Sequence, residues 1–241
     1  MSLIFFERVD FVLKKILFTG VGTAIATPFN SNGINIPAFE KLLSFQLLNS
    51  VDSIVVCGTT GEASTMSDDE KSSVIKCAVD FVDRKVPIIV GCGSNDTNKA
   101  IFNAKMAESL GADGLLVVTP YYNKCTQSGL IKHYSKIADS VSIPIILYNV
   151  PSRTGVNIEP ETCFELSKVS NIVAIKEASG NISQVAKISA LCNDNLFIYS
   201  GNDDQVIPIL SLGGIGVISV LSNIKPLETH NMVTSFFDGN L

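Results

Sequence analysis

Short, β-branched apolar runs recur along the whole chain at intervals of about 25 to 35 residues, and most successive pairs are separated by a helical pattern. This recurrence constrains the fold more than any other feature of the sequence. Eight runs can be counted, over residues 22–29, 53–58, 87–93, 114–120, 144–150, 173–179, 197–202 and 214–220. Their apolar residues are nearly continuous instead of alternating, the pattern of strands buried on both faces, as in a parallel sheet covered by helices. Helix punctuation lies between them. Ser67 and Glu70 have capping-box spacing ahead of Val74, Ile75, Ala78 and Phe81, and Asp96 or Thr97 can cap a helix that stops before Gly111. Eight βα units fit either an open doubly wound sheet or a closed barrel. The first run lacks the G-x-G-x-x-G turn that a dinucleotide-binding sheet wants, so closure is favoured. The expected fold is α/β, a (β/α)8 TIM barrel, with chemistry on the loops at the carboxyl ends of the strands.

A chain of 241 residues holds such a barrel as one domain, and no linker or low-complexity tract divides it. Residues 1–17 read as an N-terminal extension and 18–241 as the barrel. Lys and Arg total 18 against 23 Asp and Glu, a formal charge of -5, which leaves no basic footprint for nucleic acid or an anionic membrane. No apolar stretch approaches the roughly 20 residues that cross a bilayer. The six cysteines are scattered without a C-x-x-C pair and read as reduced thiols, which points to the cytoplasm. His133 and His230 are too few for a metal site and are expected on helix surfaces.

Most lysines fall in helical or loop segments, whereas Lys176 falls inside a strand, on the same face as Ala174 and Ala178. Two readings are open: a lysine paired with a carboxylate in the barrel interior, or a nucleophilic amine. At its ordinary pKa roughly one lysine in 2,500 is neutral at pH 7, and desolvation raises that fraction. After the second strand, Gly58-Thr59-Thr60-Gly61-Glu62 offers backbone N–H groups and two hydroxyls to a small carboxylate, and is equally compatible with an ordinary turn. Tyr121, Tyr122 and Tyr148 stand at strand ends, where a tyrosine either packs or relays protons. Arg153, placed on a loop, has the planar fork that suits a carboxylate, or a surface ion pair.

Taken together, G-T-T-G-E at 58–62, Y-Y-N at 121–123, Y-N-V-P-S-R-T-G at 148–155, I-K-E-A-S at 175–179 and S-G-N-D at 200–203 resemble the dihydrodipicolinate synthase family of pyruvate-dependent class I aldolases. The resemblance runs from about Phe18 to the carboxyl terminus. It implies condensation of pyruvate with aspartate semialdehyde in lysine and diaminopimelate biosynthesis, with no metal or organic cofactor beyond the covalent imine of pyruvate with Lys176. By the same resemblance Tyr148, Thr60 and Tyr122 form a proton-relay triad, Thr59 and Thr60 hold the pyruvate carboxylate, and Arg153 takes the carboxylate of the aldehyde. Gly201 and Ile218 match positions whose backbone lines the pocket. A sialic acid or other sugar-acid lyase shares the lysine and the Y-N-x-P strand but typically lacks the arginine; a non-catalytic pyruvate-binding relative would not need the intact lysine, threonine and tyrosines.

The resemblance also implies a homo-oligomer, dimer or tetramer, in which Tyr122 enters a neighbour's site. Family members usually continue past the eighth barrel helix with a further helical segment. This chain stops near the end of that helix, which should leave an apolar patch around Phe236 and Phe237. Where lysine-sensitive members carry a histidine and a glutamate, it has Lys71 and Lys99, so insensitivity to lysine is expected.

Overall fold

The structure, a computed structural model, describes residues 14–240. Eight parallel strands close into a barrel: β1 (Gly20–Ala24), β2 (Ser53–Val56), β3 (Ile88–Gly91), β4 (Gly114–Val118), β5 (Ile145–Asn149), β6 (Ile172–Glu177), β7 (Phe197–Ser200) and β8 (Gly216–Ser219). Each pairs with its neighbours in sequence, and β1 closes the ring against β8. Seven of the eight observed strands lie within or one residue outside the expected runs. The exception is the first, which runs over Gly20–Ala24 instead of 22–29. The chain leaves the barrel at Ile25, where Asn223 takes the Ala26 N–H and Thr27 turns its hydroxyl to Gly61 O, and Pro28 cannot donate to a ladder. Beyond it, Phe29–Asn30 and Gly33–Ile34 form a small antiparallel ribbon.

The near-continuous apolar runs are explained by two cores. One face of each strand looks outward at the helices: Ile54, Val56, Leu115, Val117, Ile145, Leu147 and Ile175 pack beneath α1 (Ile36–Leu48), α2 (Asp68–Val82), α3 (Thr97–Ser109) and their successors. The other face fills the barrel with Val55, Ile89, Leu116, Ile146, Ala174, Tyr199 and Ile218. Each fully buried branched side chain contributes about 1.5–3 kcal/mol. The amino-terminal end is closed by Phe18, whose ring stacks on Tyr199 at 4.4 Å while its carbonyl accepts the tyrosine hydroxyl at 2.6 Å. A Cβ on Gly22 would sit 2.8 Å from that ring, so glycine makes the space.

Most of the expected 1–17 extension lies outside the described residues, but 14–17 belong to the barrel. Leu17 packs on the interior cluster, and the Lys14 amine donates to the carbonyls of Val169 and Ile172. The helix punctuation read from the sequence is present: Ser67 and Glu70 form a reciprocal capping box, and Asp96, not Thr97, caps α3. Near the last helix (Pro226–Phe237), where an apolar patch was expected, Phe237 is exposed together with Leu227 and Ile224, whereas Phe236 packs against the cluster around Val21, Val217 and Val233.

His133, expected on a helix surface, is instead buried in α4 (Gln127–Ala138), with Nδ1 2.9 Å from the Thr97 hydroxyl and its ring edge-on to Tyr134. A lone polar residue on an otherwise apolar helix face is hard to place from sequence. Burial lowers its pKa to about 4, with Asp96 pulling the other way. The folded state therefore binds this proton less readily than the unfolded chain. The resulting stability is present above about 6.5 and is lost as pH falls from there toward about 4. Urea unfolding at pH 7.5 and 5 should show a smaller pH effect in His133→Gln; an unchanged slope would assign the acid sensitivity elsewhere.

Candidate active site

At the carboxyl end of the barrel a cavity of ≈ 660 Å³ is walled by Thr59, Thr60, Tyr148, Arg153, Lys176 and Gly201, among others. Strand alternation puts Lys176 inside with Ala174 and Ala178, as expected. Its register partners are Tyr148 on β5 and Tyr199 on β7. The amine stands 4.5 Å from the centre of the Tyr148 ring. Burial lowers the Lys176 pKa to about 8; the charge of Asp203 opposes this and that of Arg153 reinforces it. Roughly one amine in ten is then neutral at pH 7, a few hundred times the ordinary fraction.

Gly201 is where the resemblance places it, and its reason is steric. A Cβ there would lie 2.7 Å from the Ala178 Cβ and 3.1 Å from Lys176 Cε. Any larger residue would push on the lysine.

The paired threonines ride a tight turn in which Gly61 N–H donates to Gly58 O and Glu62 N–H to Thr59 O, both at 3.1 Å. Successive turn residues point differently, and it is Thr59 whose hydroxyl faces Tyr148; there it opposes the rise in the tyrosine pKa that burial causes, as the nearby Arg153 does more strongly. Thr59, and not the Thr60 expected in the relay, is thus the threonine directed at Tyr148, and Thr60 lines the cavity wall. Arg153 is not on a loop as expected but within a four-residue helix, α5 (Pro151–Thr154), entered through Pro151 and ended by Gly155 at φ 71°. Its exposed guanidinium borders the cavity, near enough to act on both Lys176 and Tyr148.

One expected residue, Ile218, is not brought into the cavity, and Tyr122, expected in a neighbour's site, stands outside that of its own chain. Ile218 is fully buried one layer deeper, and Val220, two residues further along the same face, takes the wall position. Tyr122 is 89% exposed at φ 73°, outside the cavity of its own chain. One residue gains a role that the sequence did not suggest. Asp203 lines the cavity, raises the Lys176 pKa, and is fixed by accepting the Val220 and Leu221 N–H groups at 3.1 and 2.9 Å. The S-G-N-D motif contained it without indicating a task.

A neighbouring cavity of ≈ 450 Å³ shares Thr59, Tyr148 and Arg153 and reaches Ser64, Lys71, Lys99 and Tyr121. The two like charges expected there are not alone: Asp68 sits between them, 2.6 Å from the Lys99 amine and 3.9 Å from that of Lys71. Lys71 is thus the less compensated cation. Among the described residues no group of three or more His, Cys, Asp or Glu is placed to hold a metal ion, and no helix is long and apolar enough to cross a membrane.

Comparison with known proteins extends this geometry. The profile of the dihydrodipicolinate synthetase family matches residues 17–241. The chain is 54% identical over 229 residues to the 4-hydroxy-tetrahydrodipicolinate synthase of Acetivibrio thermocellus, covering 95% of this chain and 78% of that protein. It is 58% identical to the same enzyme of Caldicellulosiruptor saccharolyticus, over 93% of this chain and 76% of that one. The crystal structure of dihydrodipicolinate synthase from Thermotoga maritima superposes with a TM-score of 0.92 at 44% identity, over 93% of this chain and 78% of that one. A monomeric dihydrodipicolinate synthase variant superposes with a TM-score of 0.91, also at 44% identity, over 93% of this chain and 76% of that one.

Proposed function

The chain belongs to the dihydrodipicolinate synthetase family, and from that premise we propose that it condenses pyruvate with L-aspartate 4-semialdehyde, giving 4-hydroxy-tetrahydrodipicolinate through an imine on Lys176. The observation that carries this reading is a strand-borne lysine, desolvated to a pKa of about 8, beside Tyr148 in a cavity with Arg153 at its edge. The reaction belongs to lysine and diaminopimelate biosynthesis. A sugar-acid lyase leaves Arg153 without a partner, whereas an aldehyde that carries its own carboxylate uses it.

The neutral Lys176 amine attacks the pyruvate ketone, and the carbinolamine loses water as Tyr148 protonates the departing hydroxyl. The imine withdraws electrons, so the methyl group loses a proton to become an enamine, whose carbon adds to the aldehyde. The amino group of the second substrate then attacks the imine carbon, displaces Lys176 and closes the ring. The electron sink is the imine itself, and the route calls on no metal or organic cofactor. Thr59 and Thr60 hold the pyruvate carboxylate, and proximity in one cavity supplies much of the acceleration.

Arg153→Ala tests the substrate assignment. Loss of a charge-assisted hydrogen bond typically costs about 1.5–3 kcal/mol, so KM for aspartate semialdehyde should rise roughly 10- to 150-fold while borohydride trapping of the pyruvate imine is retained. Equal loss of pyruvate capture would make Arg153 a structural residue.

Two further readings accompany this one. All six cysteines are free, which supports a reducing compartment, the cytoplasm. The exposure and positive φ of Tyr122 support a homo-oligomer, containing at least a dimer, in which this side chain completes a neighbour's relay. Sedimentation across micromolar concentrations should show the oligomer; an active monomer would remove Tyr122 from the mechanism, and the monomeric variant among the solved relatives makes the measurement decisive.

A further inference from the structure

Directly behind the lysine, on the outer face of β6, stands Glu177, 1% exposed. Among the described residues no Lys, Arg or His lies within ion-pair distance of it. Its two oxygens are instead surrounded by neutral donors. Oε1 accepts from the Ser179 N–H at 2.7 Å and Asn149 Nδ2 at 3.2 Å, and Oε2 accepts from Asn149 Nδ2 at 3.0 Å and Gln184 Nε2 at 3.1 Å. A carboxylate this deeply desolvated is costly, and a closed set of donors is what makes it tolerable.

What these donors are attached to gives the arrangement its meaning. Asn149 follows Tyr148 on β5, and the register pairs Tyr148 with Lys176 and Asn149 with Glu177. Asn149 also donates to Asn157 Oδ1 at 2.9 Å and accepts the Ile158 N–H at 3.0 Å. Asn157 is clamped to Gln184 by two amide hydrogen bonds of 2.7 and 3.2 Å. Residues 157 and 158 end the segment that carries Arg153. The Glu177 carbonyl, for its part, accepts the Gly201 N–H at 2.8 Å, next to the glycine that leaves room for the lysine. The Glu177 carboxylate therefore ties together the backbone that presents Lys176, Tyr148 and Arg153, while its main chain holds Gly201.

Resting on the imine reading above, we infer that Glu177 is a positioning residue: its carboxylate, through Asn149, Asn157 and Gln184, holds the lysine, the tyrosine and the arginine in mutual register. Every partner of the carboxylate is a donor. An amide in its place must therefore turn an NH2 toward one of them, and the network opens even though the side chain keeps its shape. Exchanging the two residues, E177Q with Q184E, restores the hydrogen bond between 177 and 184, while the 3.2 Å bond from residue 184 to Asn157 Oδ1 and the 3.0 Å bond from Asn149 to the second oxygen of 177 are given up. The new amide at 177 donates to the new carboxylate at 184 and still accepts from Ser179 and Asn149, and the net charge is unchanged.

The test compares the unsubstituted protein, E177Q and E177Q/Q184E at a temperature where circular dichroism shows all three folded. It reads kcat, KM for pyruvate, and the pH dependence of borohydride trapping. A misplacement of about 1 Å costs on the order of 100-fold in rate, so E177Q should lose about that in kcat with a displaced trapping profile, and the exchange should recover part of both. A folded E177Q with normal kcat and trapping overturns the positioning role. No adduct on Lys176 in the unsubstituted protein overturns the imine reading itself, which keeps the two failures apart. Should E177Q not fold, Asn157→Ala removes the amide that joins Asn149 and Gln184 to the end of the Arg153 segment. It is expected to raise KM for aspartate semialdehyde about tenfold with pyruvate trapping intact, and an unchanged KM would overturn the inference.

Discussion

Borohydride added together with pyruvate is expected to leave one reduced adduct, on Lys176, and Lys176→Ala is expected to lower kcat by at least about 10⁴-fold, the scale seen when a covalent nucleophile is removed. Peptide mass mapping and steady-state kinetics measure the two effects. Lys176→Arg separates nucleophilicity from charge, because a guanidinium keeps a cation in the cavity but stays protonated at any working pH. It should be as inactive as the alanine variant. Trapping by the unsubstituted protein should accelerate as pH rises toward about 8, where half of the amine is neutral, and level off above it. Lys14 provides an internal control. Burial lowers its pKa to about 8 as well, yet its amine is committed to two carbonyls at the opposite end of the barrel. A low pKa is therefore not sufficient, and an adduct on Lys14 or any other lysine would sink the assignment of Lys176.

The parts of this molecule that could be read from sequence are those written in long repeated patterns or in single incongruous residues. The barrel was legible because strands buried on both faces leave runs such as Leu115-Leu116-Val117-Val118, one residue facing each core in turn. Lys176 was legible because a cation inside such a run has no bland surface explanation. What stayed hidden depends on where neighbouring side chains point. Thr59 and Thr60 are adjacent in a turn, and only coordinates show which hydroxyl faces Tyr148. Arg153 reads as a loop residue because Pro-Ser-Arg-Thr is too short to show helical periodicity, yet Pro151 and Gly155 start and stop a single turn. Asp203 and Glu177 look like ordinary acidic residues at strand ends. Their partners lie 17 or more residues away for Asp203, and up to 28 for Glu177, so no local pattern announces them. His133 failed for a related reason, since its partner Thr97 is 36 residues distant on another helix.

The protein sets Lys176 and Tyr148 apart by moving their pKa values in opposite directions with the same force. Burial lowers that of the lysine and raises that of the tyrosine, so near pH 8 the amine is free to attack while the phenol retains a proton to give. Tyr148→Phe should keep the ring under the amine and leave the interior packing nearly unchanged, and with it the melting temperature. On the proposed mechanism it removes the proton delivered to the departing hydroxyl, and kcat should fall about 10²- to 10⁴-fold with a smaller change in KM for pyruvate. The pH–rate profile supplies a second readout. In the unsubstituted protein it should rise with deprotonation of Lys176 and fall only above the ordinary tyrosine pKa, because burial has moved Tyr148 upward. In Tyr148→Phe the rising limb should remain and the falling limb disappear. Turnover within about threefold of the unsubstituted protein, or a falling limb that survives the substitution, would show that another group carries the proton.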